Sequence, residues 1–221
     1  MRPIIIMAAL ATALSACGGT ADPKANNAAN KPANAVANAA NTAAAPAVEP
    51  GKMFVKWMAD GNMSRSKDIT IKQGLVRMST EAPAAAKKNK LVVYDLILAN
   101  YTFDPANLPG AMPKQYGDTL IVVQLIGDKD ASPDGPPKAA AYPAGSAADG
   151  DNKSGKVWNI LIKYSDDGVK DGKIMADSPK GTRQGQLKIT SVDGGKLTGE
   201  IDVYDEAGKV KGSFTADLPK K

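Results

Sequence analysis

Residues 196–218, KLTGEIDVYDEAGKVKGSFTADL, decide the fold class because two alternating segments flank a short turn sequence. Apolar residues alternate with polar ones on both sides of Asp205–Gly208, which is the period of a strand with one buried face. The turn-forming residues between the two segments therefore predict a β-hairpin. Each segment holds one interior glycine, Gly199 or Gly212, and such a glycine indicates a bulge or a close backbone approach.

Further apolar runs of strand length occur through residues 51–221 and predict an all-β fold. The predicted strands are Met53–Met58, Leu91–Ala99, Thr119–Ile126, Val157–Tyr164, Gln186–Val192, Lys196–Tyr204 and Val210–Leu218. Ile69–Lys72 and Leu75–Ser79 predict an additional short hairpin, and the Pro/Gly-rich residues 127–155 predict a long surface loop. No long stretch has helical periodicity, so we expect an antiparallel β-sandwich, with an open or closed β-barrel as the alternative.

Two of the predicted strands are nearly continuous apolar runs. Leu91–Tyr94 and Leu120–Val123 lack the alternation of a half-exposed strand, which indicates strands buried on both faces or central in the sheet. Trp57 and Trp158 also fall within predicted strands beside aliphatic residues. We therefore expect both indole rings in the core rather than on a sugar-binding platform.

The composition excludes several kinds of chemistry. The 221 residues include no histidine and a single cysteine, Cys17. Ser-His and Cys-His nucleophile pairs and histidine-containing zinc sites are therefore excluded, as are intrachain disulfides and paired redox cysteines. The formal charge of +5 comes from scattered lysines without interleaved aromatic residues, so we expect no nucleic-acid binding. We predict no cofactor, no metal site and no catalytic residue.

Residues 1–16 have the features of an export signal. A positive residue precedes the apolar run Ile4–Ala11, and Leu14–Ala16 supplies small residues before a cleavage point. With Cys17, this segment resembles the lipobox of bacterial lipoprotein precursors. The resemblance implies cleavage between Ala16 and Cys17 and acylation of Cys17, so that the membrane is one partner of the chain.

The residue after the cysteine bears on location. Gram-negative lipoproteins with Asp in that position stay in the inner membrane, and this chain has Gly18. The resemblance therefore implies a cell-envelope protein anchored in the outer membrane and facing the periplasm. A protein or polymer of the envelope is the expected further partner, and the sequence does not identify it.

Residues 17–50 differ in composition from the rest of the chain. Residues 20–50 contain 13 Ala, 6 Asn and 4 Pro, with few residues large enough to form a core. We predict a disordered linker, with a root-mean-square span of roughly 30 Å for a flexible chain of this length. The all-β domain then comprises residues 51–221.

The domain has two resemblances. Gly185–Val192 and the two glycine-containing strands that follow resemble the end of β-sandwich domains in secreted bacterial proteins of unassigned function. Gly74–Met78 and Tyr101–Pro105 are similar to segments of open-barrel lipoprotein carriers, which hold acyl chains in a concave sheet. The first resemblance implies a sandwich without a stated activity, and the second implies a lipid carrier.

Three short motifs fit known sites in part. Gly150–Lys156 has the glycine spacing of a phosphate-binding loop, but Val157 stands where Ser or Thr binds magnesium. Ser64 and Lys67 have the spacing of Ser/Lys acyl enzymes without the companion motifs, in a segment that we expect to be a loop. Asp128–Asp134 places oxygen ligands at alternate positions, but the glycine and glutamate of a calcium loop are displaced. We expect turns in all three places.

We predict a β-rich binding or structural module, not an enzyme, on a lipid-anchored tether. One alternative is an open-barrel carrier of lipid or lipoprotein acyl chains, which requires one apolar concavity lined by Val55, Val93, Val122 and Leu161. A second alternative is a carboxylate-based hydrolase, which requires two facing acids about 5–9.5 Å apart. The candidate acids are Asp166, Asp167, Asp171, Glu200 and Asp202.

Overall fold

The computed structural model describes residues 51–58, 64–132, 134–145, 154–165, 169–171, 183–206 and 208–219. Almost all regular structure in them is strand. The strands are β1 (Lys52–Met58), β2 (Ser64–Thr70), β3 (Gln73–Met78), β4 (Val93–Ala99), β5 (Thr119–Ile126), β6 (Ala141–Pro143), β7 (Lys156–Ser165), β8 (Val169–Asp171), β9 (Gln184–Asp193), β10 (Lys196–Tyr204) and β11 (Lys209–Asp217). The helical elements are α1 (Ala84–Lys88) and a 3-10 helix (Leu108–Ala111).

The strands form one large mixed sheet in the order β6-β9-β10-β11-β3-β4-β5-β7-β8. The predicted all-β class is confirmed, and the sheet is not closed into a barrel. An isolated bridge between Ala144 and Val157 joins the chain after β6 to β7. This bridge is parallel, as is the pair of β11 with β3, which rests on Asp217 and Leu75, whereas the other described strand pairs are antiparallel.

The predicted C-terminal hairpin is confirmed, and β11 is central to the sheet. One edge of β11 pairs with β10 along its whole length, while β1 pairs with the first part of the other edge. Gly199 lies at a bulge between β10 and β9, as expected for an interior glycine. At Gly212 a Cβ would lie 2.3 Å from the Lys52 carbonyl oxygen, so glycine is required there for β1 to approach.

The predicted hairpin of Ile69–Lys72 with Leu75–Ser79 is wrong. β2 pairs with β1, whereas β3 pairs with β4. The residues between β2 and β3 leave the β1 side of the sheet and join the β4 side. The Ile71 amide donates to Gly51 O, just before β1 (2.7 Å), and the Lys72 amide donates to Ala99 O, at the end of β4 (2.8 Å). The apolar pattern locates both segments but does not choose their partners.

The prediction that residues 127–155 form only a surface loop is also wrong. β6 lies in this segment and pairs with β9, where Tyr142 is opposite Leu187. Tyr142 is 1% exposed, and its hydroxyl donates to Lys138 O at 3.0 Å. A strand of three residues is too short to produce a periodic pattern, so only the one buried ring distinguishes it from a loop.

The inward side chains of the curled sheet meet in one main core. Fully buried examples are Val55, Leu98, Ile121, Ile160, Leu187 and Val203. Trp57 is 4% exposed, and the centroid of its ring lies 5.1 Å from that of the Tyr164 ring, which confirms its predicted core position. β4 is buried at every position, which agrees with the prediction for Val93 and Tyr94, whereas Leu91 and Val92 of the same predicted run precede the strand and are half-buried.

The predicted signal segment, the Ala16–Cys17 cleavage site, the acylated Cys17 and the linker to residue 50 lie outside the described residues. Within the described part of the chain, helices are all too short or too polar to span a membrane.

Candidate functional site

The outward face of β3, β4, β5 and β7 is covered by other parts of the chain at its two ends. Towards one end, the segment 82–91 packs on Val93 and Ile126 through Ala86 and its neighbours. Towards the other end, the segment 101–108 packs on Ile97 and Leu120. This double cover explains why β4 is buried on both faces, since one face meets the main core and the other meets these two segments.

A groove of about 330 Å³ lies on this face between the two covers. Its described lining comprises Arg77, Thr80, Glu81, Asp95, Ile97, Leu108, Ala111, Met112, Leu120, Val122, Gln124, Asn159, Leu161 and Lys163. Thr80 and Glu81 belong to the segment that leads into the first cover, whereas Leu108 and Met112 belong to the second. The volume falls within the range of small-ligand pockets, about 300–1,000 Å³.

Four polar side chains, which we call the polar row, cross the floor of this groove. They are Arg77 of β3, Asp95 of β4, Gln124 of β5 and Asn159 of β7, and each is directly opposite the next in the sheet register. Arg77 Nε and Nη2 lie 3.2 and 3.1 Å from Asp95 Oδ2. Gln124 Nε2 donates to Asp95 Oδ1 (3.1 Å), and Asn159 Nδ2 donates to Gln124 Oε1 (3.0 Å).

A β-bulge places the last member of the polar row. The register of β5 with β7 shifts between Gln124 and Leu125, so that Gln124 pairs with Asn159 and Leu125 pairs with Val157. Trp158 is the extra residue, and it packs outward with Val93 and Ile126 under the first cover. Trp158 and Asn159 therefore share the outer face although they are adjacent in sequence, which is how a bulge redirects a side chain.

The polar row is largely shielded from water. Asp95 is 3% exposed and Gln124 is 8% exposed, while the Arg77 side chain is 36% exposed. A buried carboxylate requires hydrogen-bond donors, and Asp95 has them from both of its neighbours. Asn159 Oδ1 is buried and accepts no hydrogen bond from the described residues. The row thus ends on an acceptor that still lacks a donor.

The second cover is held in place by Tyr101. Its hydroxyl donates to the Ala111 carbonyl oxygen, and its ring stacks edge-on with Phe103. Burial, and after it the negative charge of Asp118, raises the pKa of Tyr101 well above its usual value. The hydroxyl therefore stays protonated even above pH 10, where an ordinary tyrosine ionises, and it continues to donate to this wall of the groove.

A larger depression of about 510 Å³ lies in the segment 101–118 and is lined by Lys72 together with residues of that segment. Its lining comes almost entirely from one connection rather than from paired strands. The groove over the polar row is the better candidate site because four adjacent strands fix its floor and because its floor contains buried polar groups.

The Ser64/Lys67 pair does not form an acyl-enzyme site, and its predicted loop is wrong. Both residues lie in β2, where positions three apart point to opposite faces. Lys67 Nζ instead donates to Gly117 O at 2.7 Å. The sequence pattern missed this strand because Ser64–Asp68 is polar throughout, and the strand forms by pairing with β1.

The partial phosphate-loop motif is described only at its end. Lys156 is the first residue of β7, in agreement with the strand predicted there, and Gly150 lies outside the described residues.

Three of the predicted acids, Asp171, Glu200 and Asp202, lie among the described residues. Glu200 and Asp202 lie on β10, where Asp202 pairs with Lys209 (3.2 Å) and Lys211 (3.4 Å). Asp166 and Asp167 lie outside the described residues, and Asp171 ends β8. In the described part of the chain, which includes Asp128, Asp130 and Asp134 but not Pro133, no three acids or cysteines cluster as a metal site would require.

The four residues proposed to line one apolar concavity are in separate environments. Val55 is fully buried in the main core, and Val93 packs under the first cover. Val122 and Leu161 line the groove beside the polar row. Two of the four therefore contribute to the candidate site, on the outer face of the sheet rather than in its interior.

Sequence reasoning did not select the polar row, although a signal was present. Asp95 and Gln124 are single polar residues within otherwise apolar strands, VYDLILA and TLIVVQLI. A lone polar residue in a strand buried on both faces must have a buried partner. Asn159 occupies a similar position in the apolar run of β7.

Neither a protein-family model, nor a curated protein, nor a solved structure matches this chain. The case for function therefore depends on the groove and on the sequence of the first 17 residues.

Proposed function

We propose that the chain is an envelope lipoprotein anchored through Cys17, and that its β domain is a binding module whose binding surface is the groove over the polar row. The observation that carries the binding role is the buried row Arg77–Asp95–Gln124–Asn159 beneath an open groove of about 330 Å³. Half of the described lining residues are apolar, and polar groups fixed at the base of such a recess are typical of sites that orient a ligand.

The anchor supports this role by its position. Residues 20–50 separate Cys17 from β1, and their Ala/Asn/Pro-rich sequence predicts a flexible chain with a span of roughly 30 Å. A domain on such a tether can reach partners within roughly that distance of the membrane. The proposed location is the outer membrane, facing the periplasm.

The anchor is tested by mass spectrometry of the mature chain. We expect a mature N-terminus at Cys17 that carries acyl groups, and we expect Cys17→Ser to release the protein from the membrane fraction. A mature chain that begins elsewhere, or a Cys17→Ser chain that remains in the membrane fraction, contradicts the anchor.

The binding role is tested by a photo-crosslinking residue at Met112 in the groove of the full chain in cells. We expect a discrete adduct that disappears when Val122→Trp fills the groove. Gln186, exposed on β9, is the matched control position and is expected to give no such adduct. Adducts that persist with Val122→Trp, or that form equally from position 186, contradict the binding role of the groove.

A further inference from the structure

Four lysines form a cationic surface at the first cover of the sheet. They are Lys87, Lys88, Lys90 and Lys129, which we call the lysine patch. Lys88 and Lys129 line one depression of about 480 Å³ together with Asn89 and Leu91. The first three lysines lie at the end of α1 and in the turn after it, whereas Lys129 lies in the connection after β5. Two separate segments of the chain therefore bring their positive charges together.

The lysine patch is exposed and has no neutralising partner in the described part of the chain. All four residues are exposed, and no described carboxylate lies within ion-pair distance of any of their ammonium groups. By contrast, the exposed Lys196 pairs with Asp217 at 2.7 Å. The charges of the patch are therefore available to a partner outside the domain.

The two acids beside Lys129 do not cancel the patch. Burial, and after it the negative charge of Asp128, raises the pKa of both Tyr94 and Tyr142, which places the Asp128 carboxylate on the side of these two buried rings. Asp130 is exposed beside Lys129. Four lysines against this one exposed acid leave a surplus of three positive charges.

The backbone at Lys90 suits glycine better than lysine. The Leu91 amide donates to Ala86 O (2.9 Å) and the Lys90 amide donates to Lys87 O (3.1 Å), which closes α1 in the pattern that usually has glycine at this position. Lys90 has a φ of 54°, and it is the one described residue other than glycine with a positive φ. A side chain that is kept where glycine would be less strained indicates a role outside the fold.

The chemistry of the patch fits a surface with many charges better than a single bound anion. The patch contains no arginine, whose planar guanidinium binds one phosphate or carboxylate through two hydrogen bonds, and lysine is a point charge on a flexible stem. The described lining of the depression is three exposed polar residues and the half-buried Leu91, so it offers no buried donor to fix one ligand. Anionic lipid headgroups attract such clusters of exposed lysines.

We propose that the lysine patch docks on the anionic phospholipid headgroups of the membrane and holds the tethered domain with its first cover against the lipid. This inference rests on the proposed Cys17 anchor, because the tether supplies the high local concentration at which a weak attraction suffices. Salt screens exposed charges, so the patch alone should hold an unacylated chain only at low ionic strength.

The test uses residues 17–221 with Cys17→Ser, which retains every described residue and carries no acyl group. Co-sedimentation with phosphatidylcholine vesicles that contain about one third phosphatidylglycerol, in about 0.02 M salt, measures the partition coefficient of the chain. We expect binding to these vesicles, no binding to vesicles of phosphatidylcholine alone, and release in about 0.5 M salt.

Two fourfold variants of equal net charge locate the binding. Each lysine near an anionic surface strengthens binding about fivefold, so Lys87→Gln, Lys88→Gln, Lys90→Gln and Lys129→Gln in one chain should weaken it by about a hundredfold or more. The matched control changes four exposed lysines outside the patch to Gln and should weaken binding by less than about fivefold. The control positions are Lys56, Lys72, Lys114 and Lys188.

Lys90→Gly separates docking from folding. It removes one charge and relieves the backbone at a positive φ, so vesicle binding should fall about fivefold while the urea midpoint stays equal or rises. A lower midpoint with unchanged vesicle binding would show that Lys90 serves the turn rather than a partner, and would overturn the inference.

Other outcomes also overturn the docking surface. They are equal binding to both kinds of vesicle, equal losses in the two fourfold variants, and displacement by inorganic phosphate at constant ionic strength, which indicates a site for a free anion. Tighter binding of polyglutamate than of vesicles at equal charge concentration would assign the patch to an acidic polypeptide instead. Since the tested chain carries no acyl group, failure of the docking surface is distinguishable from failure of the Cys17 anchor, which mass spectrometry tests.

Discussion

Replacing members of the polar row one at a time should destabilise the domain far more than replacing all of them together. Gln124→Leu removes the donor to Asp95 Oδ1 (3.1 Å) and the acceptor of Asn159 Nδ2 (3.0 Å). Each buried group left without a partner costs about 1–3 kcal/mol, so the two together lower the free energy of unfolding by about 2–6 kcal/mol. Asp95→Leu likewise removes the partner of both Arg77 and Gln124.

Replacing the whole row with apolar residues leaves none of its groups unpaired. Buried ion pairs replaced by apolar residues of similar volume are often neutral for stability or stabilising. We therefore expect Arg77→Met, Asp95→Leu, Gln124→Met and Asn159→Leu in one chain to unfold within about 2 kcal/mol of the natural sequence.

Urea unfolding followed by circular dichroism measures these differences, with comparable m-values as evidence that the folded states are alike. Gln186→Leu on the exposed face of β9 is the control, and its effect should stay within about 0.5 kcal/mol. If the fourfold variant loses as much stability as the single losses added together, the row serves the fold rather than a ligand, and the reasoning is refuted.

Two further predictions concern the fold. Gly212→Ala places a Cβ 2.3 Å from Lys52 O, so β1 must shift, and we expect the free energy of unfolding to fall by about 2–3 kcal/mol. Gly194→Ala meets nothing within 4 Å but has a φ of +58°, so it should cost only about 1 kcal/mol. Equal urea midpoints for the two variants would contradict this contrast. Burial, and after it the negative charge of Asp128, raises the pKa of Tyr142 from 10.0 to about 12. The neutral hydroxyl of Tyr142 therefore contributes its full stabilisation below pH 10, and this stabilisation is lost as the pH rises through 12. Tyr142→Phe should make the alkaline fall in stability shallower between pH 10 and 12, and an unchanged alkaline limb would show that Tyr142 does not cause it.

The sequence predicts those strands whose apolar pattern is complete. The strands Thr119–Ile126 and Lys196–Tyr204 have the predicted bounds, because the order of apolar and polar residues in each one shows which of its faces are buried. β2 lacks that signal, since its stability comes from backbone pairing with β1 rather than from its own apolar residues. The exchange of partners at Ile71 and Lys72 depends on contacts with distant parts of the chain, which a local pattern does not contain.

The candidate site was less predictable because it depends on register. Asp95, Gln124 and Asn159 become neighbours only when three strands pair in a particular alignment, and a one-residue shift would move a side chain to the other face. The bulge at Trp158 sets the alignment of β7 with β5, and the apolar sequence of β7 gives no local sign of this bulge. Val122 and Leu161 were predicted to line an apolar concavity, and they do border the groove, although outside the main core.

The central claim is that the groove over the polar row is occupied in the cell envelope. Thr80 is exposed at the edge of the groove, and the chain has only one natural cysteine, so Thr80→Cys can be followed by the rate of maleimide labelling. With Gln186→Cys as the reference position, we predict that Cys at position 80 is labelled several-fold more slowly in intact envelopes than in the purified chain, while position 186 is labelled equally in both. Equal protection of the two positions, or no protection of position 80, would contradict the account.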